Sequence, residues 1–487
     1  MTANVLEDRR MLWALAGLMS ILFAVTNLPW ELDGYDQAKQ AWTSYEMVTE
    51  GHWFYQRTSD DQGLATKPPL TGWMSSAAFL VTRSWDIAWR LPPFLCAAAI
   101  AFLLLRSASR ASGTTAGVIA FAAFGFNLLT PRLATLVRSD MPLALVIFAI
   151  GLLIWERIRE RAAWSAKDRQ IMFALLTAGM LIKGPIIYAF LLPGVVVYHF
   201  AFRKTENAKA WFGSWPWIAS LAIFLVWVIA GCLWVPRFYE LVVVREFLAR
   251  FGEMGTHVHR AQPLFFYIPH LLHKFLPWSV VLIALAIIDL RERGWSFRTA
   301  LKEISPETIW LICWSFGGLI VMSVIPSKRV DRIFPIIPPL CLLVATQAAQ
   351  FLRNGRQRTI KWAVATVIVA VLLSGGYAGG RIASGYGDHR DALSIFGREV
   401  RHEATTNNWR YEAVGSADEG LPLYLTRPHF LKADVAITKW KDGEIDALAV
   451  PANQVLDFTR ELHGAKRRFE SVPRKNLRRA NYVLLTR

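Results

Sequence analysis

The chain has 487 residues, of which 54% are hydrophobic and only 19% are charged, with 21 tryptophans and a formal net charge of +17. Its apolar residues come in blocks of about twenty, the length that crosses a hydrocarbon core of about 30 Å, so an ordinary soluble domain is excluded. The basic residues cluster in short connections between alternate apolar blocks, as the positive-inside rule predicts for cytoplasmic loops, so the charge does not indicate nucleic-acid binding.

Eleven membrane spans are predicted in an all-α polytopic fold, and the first is expected to be a retained signal anchor. The spans cover residues 11–30, 86–106, 112–130, 140–157, 170–183, 185–202, 215–235, 270–290, 307–325, 333–352 and 361–380. With a cytoplasmic N-terminus, this count puts the C-terminus outside and the more polar connections on the extracytoplasmic side. We therefore expect a multi-pass protein of the plasma membrane whose function faces away from the cytoplasm.

The composition changes after about residue 380, so residues 1–380 are predicted to form the transmembrane domain and residues 381–487 a small soluble α/β domain. A helical pattern covers residues 453–462, between apolar runs typical of strands. The strand-like runs are Ala413-Val414, Leu421–Leu425, Ala447–Val450 and Tyr482–Leu485.

The outer loop of residues 31–85 separates the first two predicted spans. A helix is predicted from about Tyr35 to Glu50, which would place Asp36 and Lys39 one turn apart on the edge opposite its apolar face. A carboxylate and an ammonium group beside a membrane surface suit chemistry on a charged, lipid-bound substrate. An ordinary i,i+3 ion pair on a surface helix explains the same spacing.

Farther along this loop, Lys67 is followed by Pro68 and Pro69. Because proline disfavours helix interiors and restricts the residue before it, Lys67 is expected in a rigid extended segment just before a short helix. A lysine held there at headgroup depth is suited to bind a phosphate. A lysine that snorkels to mark the membrane interface is the alternative.

Three later segments on the predicted outer side again combine cations with acids. They are Arg138-Ser139-Asp140-Met141-Pro142, Lys183-Gly184-Pro185 and Ser327-Lys328-Arg329-Val330-Asp331-Arg332. Ionisable residues at the ends of membrane spans are costly unless they are paired or functional. Since these cations run against the positive-inside trend, we expect them to form a cationic pocket for a lipid-linked phosphate.

The histidines and cysteines give weaker signals. His257, His259, His270 and His273 lie near one outer connection, but their spacing lacks a His-Glu-x-x-His pattern, so interfacial or hydrogen-bonding roles are favoured over a metal site. The cysteines lie in apolar segments without metal-ligand spacing. The sequence also lacks a P-loop, a dinucleotide fingerprint and a hydrolase nucleophile elbow.

In chain order, these motifs resemble those of the integral-membrane GT-C glycosyltransferases, in the aminoarabinose-transferase and protein-mannosyltransferase-like branch. The resemblance runs over residues 11–352 and implies a GT-C-like fold that moves a sugar from a polyprenyl-phosphate donor to a lipid, glycan or protein acceptor on the outer leaflet. The matching motifs are Asp36, Glu46-Met47, Gly51-His52-Trp53, Lys67-Pro68, Arg138-Ser139-Asp140-Met141-Pro142, Lys183-Gly184-Pro185, the Gln262–Pro269 segment and the Ser327–Pro335 segment.

The resemblance also implies roles for individual residues. Asp36 would be the general base, Lys67 a ligand of the donor phosphate, and Lys39 the equivalent of a phosphate-binding arginine. The further cations expected to complete the phosphate site are Lys183, Lys328, Arg329 and Arg332. The residues expected to bind substrate or support the site are Asp140, Arg138 and Tyr267.

The expected chemistry is simple, because a glycosyl phosphate already carries a good leaving group. One carboxylate to accept the acceptor's proton and cations to stabilise the departing phosphate are sufficient, and direct displacement inverts the anomeric centre.

The chain departs from the family pattern at several positions. Gln37 replaces the usual acid after Asp36, while Asp33 offers a carboxylate three residues earlier, so both aspartates are candidates for the base. Thr66 and Arg260 replace an acid and a histidine of some relatives, which leaves a divalent metal ion as an open question.

Two other functions fit part of the pattern. A transporter or flippase of a lipid-linked or anionic glycan would also need charges at the ends of its spans. The helix breaks of a transporter should recur at matching positions in two repeats, but the sequence shows a single break, at Lys183–Pro185. An envelope scaffold with a soluble adaptor domain would explain the tail but not the Lys67-Pro68-Pro69 motif.

Overall fold

The computed structural model of the chain describes residues 5–28, 30–32, 35–58, 64–202, 213–247, 262–296, 303–353, 357–415, 420–475 and 481–487. The described chain is mostly helical and carries one small sheet near the C-terminus, which confirms the predicted fold class. The α-helices of the first 300 residues are α1 (Arg9–Val25), α2 (Tyr35–Thr49), α3 (Leu70–Thr82), α4 (Trp85–Ser112), α5 (Thr114–Gly125), α6 (Thr130–Ala134), α7 (Asp140–Glu160), α8 (Ala166–Lys183), α9 (Ile186–Phe202), α10 (Trp215–Trp234), α11 (Tyr267–Lys274) and α12 (Trp278–Glu292). The later ones are α13 (Pro306–Val324), α14 (Ile337–Arg353), α15 (Gln357–Gly387), α16 (Ala392–Thr406), α17 (Gly420–Leu425), α18 (Ala433–Lys441) and α19 (Val455–Glu461).

Each of the eleven predicted spans overlaps helical residues, and the span 270–290 falls on two helices, α11 and α12. Not all of these helices are long and apolar enough to cross a membrane. Six helices in the described part of the chain meet that test, or seven if Leu264–Lys274 and Trp278–Glu292, which are bent by 101°, count as one span. The chain is a multi-span membrane protein, and the count of eleven remains a prediction.

The chain folds into two compact units, each built from two separate stretches of sequence. The membrane unit contains residues 1–26 and 91–378, and the loop–tail unit contains residues 27–90 and 379–487. The outer loop therefore belongs to the same unit as the C-terminal residues. The predicted domain boundary at residue 380 remains a prediction.

Small residues allow close helix packing in the membrane unit. A Cβ on Gly194 of α9 would lie 3.1 Å from the backbone of Trp314 of α13, and one on Gly317 would lie 3.1 Å from both Gly194 and Pro193. Helix pairs in membranes commonly approach through such residues. This packing fixes α13, whose C-terminal end leads into the 3₁₀ segment Val330–Ile336 that carries part of the candidate site.

In the loop–tail unit, the sheet has the strand order β1-β2-β4-β3. Its strands are β1 (Tyr411–Ala413), β2 (Ala447–Pro451), β3 (Lys466–Glu470) and β4 (Tyr482–Thr486). β1 runs parallel to β2, and β4 pairs antiparallel with both β2 and β3. Alternate residues of β2 and β4, such as Leu448 and Leu485, pack with Trp440 and Phe458 in a buried apolar core. The predicted α/β tail is confirmed.

The prediction of a strand at Leu421–Leu425 is wrong, because Gly420–Leu425 forms the short helix α17. All six of its residues are buried, and an uninterrupted apolar run is equally compatible with a buried strand and a buried helical turn. Pro422 lacks an amide for strand pairing and is tolerated in a first helical turn, which favours the helix.

Candidate active site

Helix α2 carries the acid and the lysine that the sequence singled out. It begins at Tyr35, so Asp36 lies in its first turn and Lys39 one turn later, as predicted. Both side chains are half-buried, and each has at least one interaction with a neighbouring group. The positive end of the helix macrodipole favours a carboxylate at the position of Asp36. Asp33 lies outside the described residues, so the choice between the two aspartates remains a prediction.

The apolar face of α2 packs closely against α3. A Cβ on Gly72 of α3 would lie 2.5 Å from the methyl carbon of Met47, so glycine is what lets the two helices approach here. Ser76 of α3 donates a hydrogen bond of 3.2 Å to the carbonyl oxygen of Ser44, and the Trp89 indole donates one of 3.0 Å to the Ser44 hydroxyl. Met47, one of the family motifs, therefore has a packing role.

The Glu46–His52 pair fixes the turn after α2. Glu46 is almost fully buried, and its Oε1 lies 2.9 Å from Nδ1 of His52. Gly51 adopts a φ of +77° in this turn, a conformation that favours glycine. Burial raises the pKa of Glu46 to about 7, with His52 opposing the shift. Two of the family-motif positions in this turn, Glu46 and Gly51, thus shape the loop.

The segment after this turn delivers Lys67 to the start of α3. The Ala65 amide donates a hydrogen bond of 2.8 Å to the carbonyl oxygen of Gln56, which closes the loop at its base. Lys67 is half-buried, and Pro68 and Pro69 behind it are buried, with Pro69 as the residue that precedes the helix. Lys67 therefore lies in a non-helical segment just before a short helix, as predicted, although it occupies a bend rather than an extended stretch.

The membrane unit contains a separate group of paired charges at the N-terminal end of α7. Asp140, 4% exposed, accepts a hydrogen bond of 2.5 Å from Nζ of Lys183, the last residue of α8. Nε of Arg138 lies 3.3 Å from the second oxygen of Asp140, and Arg138 also pairs with Asp331. Arg138 therefore bridges the two carboxylates, and Arg138 and Asp140 together join three chain segments that the sequence marked as separate motifs.

The segment 327–332 completes this cation cluster, which we define as Arg138, Asp140, Lys183, Lys328, Arg329, Asp331 and Arg332. Arg329 lies 3.4 Å from Asp331 and, at 43% side-chain exposure, is the cation of the cluster most open to a ligand. Lys328 donates a hydrogen bond of 2.9 Å to the carbonyl oxygen of Gln262, and burial lowers the pKa of its ammonium group. The guanidinium of Arg332 donates to the carbonyl oxygen and the hydroxyl of Ser327, at 2.7 and 3.0 Å.

Tyr267 supports the backbone of the cation cluster. Its ring is fully buried, and its hydroxyl accepts a hydrogen bond of 3.4 Å from the backbone amide of Arg329. This contact fixes the backbone of the 327–332 segment, so the structure gives Tyr267 a supporting position.

The cluster has an excess of positive charge. The cluster contains five cations and two carboxylates, a formal excess of three positive charges that the one or two negative charges of a bound phosphate would partly neutralise. An excess held at the end of a helix bundle, in an environment of lower dielectric than water, attracts an anion more strongly than scattered surface lysines. The arrangement is suited to stabilise negative charge that develops on a departing phosphate.

Sequence reasoning missed two contributors to these sites. Asp331 was noted only as a member of a charged segment, but it is the shared counterion of Arg138 and Arg329. The buried pair of Glu31 and Arg474 in the loop–tail unit was not anticipated at all. Local spacing could not reveal it, because the two residues are 443 positions apart.

The described residues contain no group of three His, Cys, Asp or Glu side chains that could hold a metal ion. Within them, Asp140 and Asp331 already face cations, and such a donor set does not fit a divalent metal. His270 packs its ring against Phe266, with centroids 4.6 Å apart. His257, His259 and Arg260 lie outside the described residues, so the histidine group remains untested.

The sequence is similar to known membrane transferases. Residues 66–234 match the family model described as dolichyl-phosphate-mannose-protein mannosyltransferase. An undecaprenyl phosphate-alpha-4-amino-4-deoxy-L-arabinose arabinosyl transferase from an Enterobacter species (strain 638) is 25% identical over 348 residues, which cover 70% of this chain and 61% of that protein. A protein of the same name from Aeromonas salmonicida is 30% identical over 183 residues, 38% of this chain and 31% of that protein. The matches thus span about three fifths or less of these relatives.

The fold is similar to two solved structures. ArnT from Cupriavidus metallidurans bound to undecaprenyl phosphate superposes with a TM-score of 0.69 at 17% identity, over 98% of this chain and 97% of that one. The archaeal oligosaccharyltransferase AglB from Archaeoglobus fulgidus, in complex with an inhibitory peptide and a dolichol-phosphate, has a TM-score of 0.51 at 11% identity, over 92% of this chain and 70% of that one. The first likeness covers nearly the whole of both chains, so the architecture is shared from end to end.

Proposed function

We propose that this chain is a GT-C glycosyltransferase of the aminoarabinose-transferase and protein-mannosyltransferase-like branch, and that it transfers a sugar from a polyprenyl-phosphate donor to an acceptor. The reaction takes place on the outer face of the plasma membrane, with the N-terminus inside. The observation that carries this proposal is the cation cluster of the membrane unit. Its excess of positive charge lies on the motifs that the family resemblance marks for the donor phosphate.

Asp36 is the proposed general base. The side chain lies in the first turn of α2, half-buried, on a helix that Met47 and Ser44 hold against its neighbours. It would take the proton of the acceptor group while that oxygen attacks the anomeric carbon and the carbon–oxygen bond to the phosphate breaks. A single displacement of this kind inverts the anomeric centre, and a positioned base contributes about 10²–10⁴-fold to the rate.

The departing polyprenyl phosphate is the group that needs stabilisation. The proposed phosphate ligands are Lys39 and Lys67 in the loop–tail unit, and Lys183, Lys328, Arg329 and Arg332 in the membrane unit. Arg329 is the first of these to examine, because its side chain is the most exposed in the cluster. Arg138 and Asp140 keep the cluster together, and Tyr267 supports its backbone.

The names of the relatives suggest which donor to test first. Those proteins are called undecaprenyl phosphate-alpha-4-amino-4-deoxy-L-arabinose arabinosyl transferases, and the similar ArnT structure is described as bound to undecaprenyl phosphate. A pentosyl donor on undecaprenyl phosphate is therefore our first candidate. The acceptor is a hydroxyl or phosphate group of a lipid, glycan or protein.

The experiment is to incubate the purified protein with a panel of polyprenyl-phosphate sugars and native membrane extracts that contain acceptors, and to measure released polyprenyl phosphate. We expect Asp36→Asn to reduce release by about 10²–10⁴-fold with unchanged folding. Asp86→Asn is the matched control, since Asp86 also lies in the first turn of a helix in the loop–tail unit. Near-normal turnover of the Asp36→Asn variant would refute the role of Asp36.

Parallel variants separate the remaining alternatives. Asp33→Asn tests the competing base, and loss of activity in that variant alone would move the role from Asp36 to Asp33. Lys67→Ala should weaken donor binding or leaving-group departure, and unchanged kinetics over varied donor concentration would remove Lys67 from the site. Donor binding without release from any member of the panel would favour a transporter of lipid-linked glycans.

A further inference from the structure

Trp30, Glu31 and Leu32, a few positions before α2, contact residues in the C-terminal part of the same unit. The ring of Trp30 contacts the guanidinium groups of Arg381 and Arg390, which are 4.2 and 4.3 Å from its centroid. The Leu32 amide donates a hydrogen bond of 2.6 Å to the hydroxyl of Tyr424, which lies in α17. Stacking of this kind is worth most where the groups are desolvated.

Glu31, between Trp30 and Leu32 in the chain, accepts hydrogen bonds through both of its carboxylate oxygens. One carboxylate oxygen accepts a hydrogen bond of 2.7 Å from the guanidinium of Arg474, which lies between β3 and β4. The other accepts from the backbone amides of Leu393 and Ser394, at 2.7 and 3.1 Å, in the first turn of α16. The side chains of Glu31 and Arg474 are 0% and 1% exposed.

The Glu31–Arg474 pair fixes the position of Glu31 more than it adds to the free energy of unfolding. A buried ion pair gains little over a well-packed apolar pair of the same volume, because both charges must be desolvated. Its hydrogen bonds, however, are directional, and here they tie one side chain to a loop and to a helix N-terminus at once. Glu31 therefore has a defined place relative to two elements of the tail.

The fixed segment is close to Asp36 along the chain. Five peptide units separate Glu31 from Asp36, a distance that cannot exceed about 18 Å even in an extended chain. The middle of α2 is also anchored, since the Trp42 indole donates a hydrogen bond of 3.0 Å to the carbonyl oxygen of Arg57 and its ring contacts that of His429. Together, these contacts limit both the translation and the rotation of α2.

We infer that Glu31 and Arg474 are positioning residues for transfer, which hold the Asp36-bearing helix α2 in its working place by tying it to the C-terminal tail. This inference rests on the proposed function and gives the tail a role in it. A displacement of about 1 Å at a reacting group can cost about a hundredfold in rate, so a loosened α2 should lower turnover more than donor binding.

The test is the variant Glu31→Gln, which keeps the shape and an acceptor oxygen but removes the charge that Arg474 pairs with. We expect kcat to fall about tenfold or more, the donor KM to change less than about twofold, and backbone hydrogen exchange of residues 35–49 to become faster. The matched control is Arg410→Gln, which breaks an arginine–aspartate pair with Asp446 whose described partners all lie in the tail.

Each result decides the inference. Faster exchange in α2 with a lower kcat, absent from the Arg410→Gln control, supports it. Unchanged exchange of residues 35–49, or unchanged kcat despite faster exchange, overturns it. If Glu31→Gln does not fold, Arg474→Lys takes its place, because lysine keeps the charge but not the guanidinium geometry, and the same changes are expected at smaller size. If the wild type transfers no sugar, the proposed function fails, whereas the exchange measurement still decides whether Glu31 holds α2.

Discussion

The pairing of Asp140 with Lys183 should appear as a large coupling free energy between the two side chains. Asp140 is 4% and Lys183 18% exposed, and their charged atoms are 2.5 Å apart. Breaking a buried pair from one side costs about 3–5 kcal/mol, because an uncompensated charge remains. Since Lys183 keeps some solvent contact and an asparagine can still accept its hydrogen bond, we expect about 2–3 kcal/mol for Asp140→Asn.

The assay is a double-mutant cycle on the free energy of unfolding. Asp140→Asn, Lys183→Met and the double variant are unfolded reversibly in mixed detergent micelles, followed by far-ultraviolet circular dichroism. The double variant should lose about 1–3 kcal/mol less than the sum of the single variants, since it leaves no unpaired ammonium. Arg138, which also lies beside Asp140, stays intact in every variant.

The exposed pair of Arg237 and Glu240 provides the control. Its side chains are 61% and 65% exposed, so a cycle of Arg237→Met and Glu240→Gln should give a coupling below about 0.5 kcal/mol. If the effects of Asp140→Asn and Lys183→Met on the free energy of unfolding were additive within the same limit, the two charges would not be paired in the folded protein. The description of the cation cluster would then have to be abandoned.

Two further predictions concern stability. Glu46→Gln should make the apparent melting temperature less dependent on pH. Burial raises the pKa of the Glu46 carboxyl beside His52 to about 7, above its value in the unfolded chain. The wild type is therefore most stabilised by this group below about pH 4.5 and loses that contribution as the pH rises towards 7. Equal pH slopes of the two proteins would argue against a buried Glu46. Gly151→Ala should lower the melting temperature by several degrees, because a Cβ there would overlap the rigid ring of Trp314. Gly376→Ala, inside a helix and with open space around it, should be neutral or slightly stabilising. An unchanged melting temperature in the Gly151→Ala variant would show that α7 and α13 can move apart without a loss of stability.

Much of the architecture follows from local sequence, because a membrane span needs about twenty apolar residues in a row. The resemblance drawn from the motifs is confirmed. Two adjacent prolines were enough to predict that Lys67 precedes a short helix, and the cost of burying charge was enough to predict that Asp140 is paired or functional. The pairing of Asp140 with Lys183 rather than with Arg138 alone could not be read from spacing.

Other parts required the three-dimensional structure. The run Leu421–Leu425 gave no periodicity that could separate strand from helix. The contact of Gly72 with Met47 depends on how two helices cross, which neither residue signals by itself. Asp33 and Asp36 are still separated only by motif spacing, so the identity of the base stays a prediction.

The union of residues 27–90 with residues 379–487 also constrains the order of events during synthesis. Glu31 leaves the ribosome 443 residues before Arg474. At about 5–20 residues per second, the outer loop waits about 20–90 s for the groups that will hold it. During that interval the loop lacks its tail contacts, and the membrane spans between the two segments are inserted first. The contacts of Glu31 with the tail are therefore complete only after Arg474 has been synthesised, whereas the contacts of α2 with α3 can form much earlier.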